Sequence, residues 1–122
     1  MHNQGSLHEA SKLAKQLTNQ YPRAFMVWNI LGATFHRLEQ TDEADIAFRK
    51  VIQLNPSYPD GHNNLGTLLT KQGRLDEAVI CYREAIAINP EHAEAFNNLG
   101  LALQDQTKLD EAINAYQSAI QI

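Results

Sequence analysis

The sequence predicts an all-α solenoid of about seven antiparallel helices, and three observations carry that reading. Proline stands at 22, 56 and 90, a constant spacing of 34 residues. The pairs Leu31-Gly32, Leu65-Gly66 and Leu99-Gly100 keep that spacing, as do Ala10, Ala44, Ala78 and Ala112. Within each period, apolar residues fall twice at helical spacing, with a polar interruption between the two runs. Self-similarity at a fixed period marks one supersecondary unit stacked on copies of itself, and the spacing makes that unit a pair of amphipathic helices.

Leu7, Ala10, Leu17 and Pro22 match only the second half of a unit, so one helix is expected from about Ser6 to Gln20. In the unit spanning about 25–58, Trp28, Leu31, Gly32 and Phe35 form the stripe of a first helix. Ala44, Phe48, Val51 and Ile52 form that of a second. Thr41 or Asp42 is placed to cap the second helix, and Asp42-Glu43 put negative charge where the helix dipole favours it. Asn55-Pro56 then ends it, because the residue before proline is pushed away from helical angles.

The unit at about 59–92 has His62, Leu65, Gly66 and Leu69, then Ala78, Tyr82, Ala85 and Ile86. Its inter-helix turn carries Gly73 where a left-handed cap is wanted. The unit at about 93–122 has Phe96, Leu99, Gly100 and Leu103, then Ala112, Tyr116, Ala119 and Ile120. The domain reading is therefore residues 1–22 as the second helix of an incomplete leading unit, followed by three units over 23–122. Gly32, Gly66 and Gly100 each cost about 1 kcal/mol relative to alanine inside a helix. Their shared register implies a close helix–helix approach that recovers the loss. The large residues at 28, 48, 82, 96 and 116 are expected to fill the spaces between hairpins.

Composition narrows the function classes. The net charge of −4 over 122 residues disfavours nucleic acid as a partner, which relies on clustered Lys and Arg. No apolar run approaches the roughly 18 residues of a membrane span. The single cysteine, Cys81, excludes an internal disulfide and fits a reducing, cytoplasmic setting. The Met1–Gly5 stretch has neither a basic nor an apolar region of a signal peptide. His2, His8, His36, His62 and His92 form no i, i+4 pair, and His62 reads as a packing residue. The pairs Asp42-Glu43, Asp76-Glu77 and Asp110-Glu111 recur because each begins a helix. No Gly-rich phosphate loop or CxxC motif is present. The expectation is a non-enzyme with no catalytic residue, metal or cofactor.

The registered positions resemble the tetratricopeptide repeat family over nearly the whole chain. Its pattern of large residue, Leu-Gly, large residue, Ala, aromatic, Ala and Pro is matched by Trp28, Leu31, Gly32, Phe35, Ala44, Phe48 and Pro56. The second unit matches with Leu65, Gly66, Leu69, Ala78, Tyr82, Ala85 and Pro90, and the third with Phe96, Leu99, Gly100, Leu103, Ala112, Tyr116 and Ala119. Departures are His62 at the large position, Val51 in place of the later alanine, and Ala14 in place of the aromatic. The resemblance implies a right-handed superhelix whose first helices line a concave groove. Carried onto this chain, the groove takes Asn29 and Arg37 from the first unit, Asn63, Asn64, Thr67 and Lys71 from the second, and Asn97 and Asn98 from the third. Carboxamides recurring there suit the N–H and C=O groups of an extended peptide. The same asparagines also suit a structural role, bonding neighbouring hairpins.

The implied function is a protein-interaction scaffold that holds an extended peptide. The carboxylate clamp of some family members is not matched, since Asn64 is the one residue of that set present. Two alternatives stand beside this reading. One is self-assembly by end-to-end stacking of uncapped terminal helices, giving a homo-oligomer. The other is a substrate-recruiting arm of a larger enzyme, since Asn-rich repeats of this kind resemble the arrays of O-GlcNAc transferases and bacterial scaffold proteins.

Overall fold

The computed structural model describes the chain from residue 2 to 122, with side chains from residue 5 onward. His2 and most of the Met1–Gly5 stretch considered above thus lie outside the described side chains. Seven helices, α1 (His2–Gln20), α2 (Phe25–Arg37), α3 (Thr41–Leu54), α4 (Pro59–Lys71), α5 (Leu75–Ile88), α6 (Ala93–Asp105) and α7 (Leu109–Gln121), account for the described residues. They form two compact units, Met1–Pro56 and Ser57–Ile122. In the first, α2 packs against both α1 and α3. In the second, α5 packs against α4 and α6, α6 packs against α7, and α4 also touches α6.

Each hairpin turns by the same backbone device. Glu39, Gly73 and Thr107 hold φ of 61°, 78° and 61°, the left-handed region. Behind them the N–H groups of Gln40, Arg74 and Lys108 donate to the carbonyls of Phe35, Leu69 and Leu103 at 2.9, 2.9 and 2.8 Å. With the bonds from Glu39 to His36, Gly73 to Thr70 and Thr107 to Gln104, each spanning three residues, this is a Schellman ending. Glycine was expected at one of these turns, and the structure adds that glutamate and threonine adopt the same conformation. Left-handed angles cost such residues about 1–2 kcal/mol relative to right-handed ones. The tight turn also corrects the capping expectation. Thr41 is already helical, and the N-cap positions fall on Gln40, Arg74 and Lys108, none with a side-chain cap bond. Asp42-Glu43, Asp76-Glu77 and Asp110-Glu111 do sit in the first turns.

The recurring glycines are explained by three aromatic rings. A Cβ added to Gly32, Gly66 or Gly100 would sit 2.6 Å from the ring of Phe48, Tyr82 or Tyr116 respectively. Each ring therefore lies against the glycine of its own hairpin, where the sequence reading had placed it between hairpins. Ala44, Ala78 and Ala112 are buried alongside. Tyr82 is 2% exposed, and its hydroxyl lies 3.0 Å from Thr70 Oγ1. Burial raises the Tyr82 phenol above the usual tyrosine value, and the hydrogen bonds of Thr70 and Thr67 pull the other way. Trp28 serves a different contact: its indole N–H donates to the Pro22 carbonyl at 2.9 Å, tying α2 to the segment after α1.

Two consequences are measurable. In Gly66→Ala, overpacking against Tyr82 outweighs the gain in helix propensity, for a net loss of about 1–2 kcal/mol. Thr107→Gly relieves the left-handed strain and gains about 1 kcal/mol. Urea midpoints moving in opposite directions for the two variants are the expected result. The Tyr82 phenol also sets a pH dependence. Its folded pKa lies above its unfolded value, so its contribution is full below about pH 10 and is lost as pH climbs beyond it. Tyr82→Phe is therefore expected to flatten the alkaline decline of the urea midpoint.

Candidate functional site

On α4 the residues Asp60, Asn64, Thr67 and Lys71 follow one another at near-helical spacing and share a face. Asp60, Thr67 and Lys71 are exposed, and Asn64 is half-buried. On α6 the corresponding residues are Glu94, Leu101 and Asp105, exposed, and Asn98, half-buried, with Asn97 exposed beside them. The Thr67 hydroxyl donates to the Asn63 carbonyl at 3.0 Å. The second unit thus presents a mainly polar surface across α4 and α6, with carboxamides on both helices.

Asn63 does not belong to that surface, and its assignment to the groove is corrected here. It is 2% exposed, and its side-chain oxygen accepts a hydrogen bond from Asn98 Nδ2 at 3.1 Å. The same register leaves Asn29 half-buried and Asn97 exposed, so the reason is not the register but the packing of α6 on α4. What the contact does is orient Asn98. One N–H of the Asn98 amide is spent inward, so the remaining polar capacity of that carboxamide faces the open surface.

A second tie joins the N-terminal ends of α4 and α6. His92 is the N-cap of α6, and its Nδ1 accepts from the Ala95 N–H at 3.1 Å. A ring nitrogen that accepts carries no proton, so the proton sits on Nε2 and is donated to Asp60 Oδ1, 2.7 Å away. Tyr58 joins the same carboxylate: its phenol is raised by burial first, then by the charge of Asp60 and by a hydrogen bond to it. This Tyr58–Asp60–His92 row was missed in the sequence. Asp60 and His92 are separated by neither a helical spacing nor the repeat period, so no local pattern marks them.

In the first unit, α2 carries Met26, Ile30 and Ala33 exposed on one face, with Arg37 exposed at its end and Asn29 half-buried. This face is apolar where the α4 face is polar. The second helices carry a further repeat that the sequence reading passed over. Lys15 lies 3.6 Å from Glu43 and 5.1 Å from the Phe35 ring centroid, and Arg83 lies 4.0 Å from Glu111. The two ion pairs occupy equivalent places in the repeat, link one second helix to the next, and are exposed, so each contributes at most about 1 kcal/mol. No group of His, Cys, Asp or Glu among the described residues is arranged to hold a metal ion. No helix among them is long and apolar enough to cross a membrane. Cys81 is half-buried on α5, and His62 is half-buried on α4.

Comparison with known proteins adds two findings. Profiles described as TPR repeat or Tetratricopeptide repeat match residues 27–58, 47–80, 66–107 and 93–122, so that together they run from 27 to the end. A search of curated proteins gives no match. Among solved structures, a crystal structure of MamA superposes with a TM-score of 0.90 at 25% identity, over 94% of this chain and 67% of that one. A second crystal structure of MamA protein gives 0.88 at 25% identity, over 94% of this chain and 63% of that one. A third, MamA MSR-1 C2, gives 0.82 at 22% identity over 96% of this chain and 67% of that one. The chain thus spans about two thirds of the length of these neighbours, and the fold they share is an all-α helical solenoid.

The Asn63–Asn98 contact generates a stability prediction. Asn63→Ala strands a half-buried Asn98 amide and is expected to cost about 1–3 kcal/mol. Asn97→Ala, at an exposed position, is expected to stay within about 0.5 kcal/mol of the parent. Thermal melts of the two variants side by side check this.

Proposed function

That the chain belongs to the tetratricopeptide repeat family is the premise from which we propose its role, a protein-interaction scaffold that holds an extended partner segment on its first-helix faces. The observation that carries this reading is the α4–α6 surface of the second unit. Carboxamides stand there on both helices, and that of Asn98 is held at a fixed orientation by a buried partner. An extended peptide presents alternating N–H and C=O groups along its main chain. Asn98 and Asn64 offer matching donors and acceptors, Thr67 adds an acceptor, and Lys71 supplies a cation for a carboxylate or a carbonyl. A main-chain reader of this kind is tolerant of ligand sequence and gains specificity from its edges.

Each hydrogen bond to such a ligand is worth about 0.5–1.5 kcal/mol net. Affinity is accordingly expected in the micromolar range. Peptides selected from a library of extended sequences and measured by calorimetry provide the test. Asn98→Ala and Asn64→Ala are each expected to weaken binding about 2- to 12-fold per lost hydrogen bond. Unchanged affinity in both variants, with helical content preserved, would remove the α4–α6 surface as the binding site.

A further inference from the structure

The first unit carries an apolar cleft between Trp28 of α2 and the outer side of α3, apart from the exposed α2 row of Met26, Ile30 and Ala33. It measures about 430 Å³ and is lined by Pro22, Trp28, Ile46, Arg49, Lys50 and Gln53. A smaller cleft of about 160 Å³ shares Trp28 and Ile46 with it and reaches Leu31, Phe35 and Ala47. The indole is fixed by its N–H bond to the Pro22 carbonyl, so the aromatic wall is rigid before anything binds. Ile46 is 66% exposed. That exposure belongs to the repeat and not to a chain end. Ile80, its copy one period on, has helices before and after it in the chain and is still 61% exposed.

We infer that this cleft binds a partner-protein segment carrying a large apolar side chain beside a carboxylate. The apolar half follows from the Trp28–Ile46 trough, and the acidic half from charge. Arg49 and Lys50 are the charged groups on the larger cleft, and among the described residues no carboxylate lines it. Arg49 is held by Asp45 at 3.0 Å. Lys50 has no carboxylate partner among the described residues and stands 5.8 Å from the Trp28 ring centroid. An incoming carboxylate therefore meets a cation already placed at the edge of the apolar wall, where partial desolvation strengthens the attraction. The other repeats lack this combination. One period on, Trp28, Ile46 and Lys50 become His62, Ile80 and Glu84, and two periods on they become Phe96, Asn114 and Ser118. Among the three repeats the first alone joins an indole, an exposed isoleucine and a cation, so the site belongs to this unit and not to the fold at large.

Trp28 is the one tryptophan of the chain, so its fluorescence reports this cleft. The probe is the capped peptide acetyl-Asp-Leu-Phe-Asp-amide, compared with its neutral Asn-Leu-Phe-Asn counterpart. A saturable change in Trp28 emission is expected with the acidic peptide, and binding about tenfold weaker with the neutral one. Lys50→Glu, which takes the residue of the next repeat, is expected to remove that preference. Ile46→Asn, which takes the residue of the last repeat, is expected to weaken both peptides about tenfold. Lys50→Ser serves as the milder variant should circular dichroism show that either change disturbs the helices. The inference is overturned by unchanged Trp28 emission, by equal affinity for the two peptides, or by substitutions without effect. A dimer in light scattering that Ile46→Asn dissolves would overturn it as well, by making a second copy the occupant. Asn98→Ala is expected to leave this titration unchanged, so failure here is distinguishable from failure of the α4–α6 reading.

Discussion

The contact on which the rest of the structure depends is an aromatic ring laid on a glycine. Phe48, Tyr82 and Tyr116 each occupy the space that a side chain at Gly32, Gly66 or Gly100 would fill. That contact brings the two helices of a hairpin close and fixes which face of each points inward. Once it is set, the leucine before each glycine is buried, and the residues on the opposite side of the first helix are left to solvent. The exposed polar row of α4 and the exposed apolar row of α2 are what remains after that choice. Function on such a surface is free to vary because the packing side is held by so few positions.

The turn is the second constraint, and it shows how a repeat tolerates sequence change. Gly73 adopts its left-handed angle without strain, whereas Glu39 and Thr107 are held there by the same pair of backbone hydrogen bonds. The Schellman geometry recovers orphan carbonyls at the end of each first helix and starts the second helix one residue later. A side-chain cap is then unnecessary. The N-terminal carboxylates, acting on the dipole from inside the first turn, complete the start of α3, α5 and α7.

The fold was legible because its determinants are local or strictly periodic. Helical spacing marks the inward faces, Asn55-Pro56 marks a stop, and the 34-residue copy shows that one hairpin explains the next. The site was legible in part. The row Asn64, Thr67, Lys71 and the exposed Asn97 follow from their register on α4 and α6. Asn63 does not, because the same register serves for an exposed or a buried residue, and the decision is made by a side chain 35 positions away. His92 is harder still: its ring serves two partners at once, one by capping its own helix and one across to Asp60. Such contacts depend on the offset between neighbouring hairpins, which no single repeat encodes.

A buried carboxamide at position 63 has a consequence that a leucine there would lack. An apolar residue would pack against α6 and leave Asn98 free to rotate between two nearly equivalent amide orientations. With Asn63 beneath it, Asn98 has one N–H committed, and the opposite orientation would set oxygen against oxygen. The surface amide is therefore ordered, and in the proposed role less rotamer entropy remains to be lost on binding.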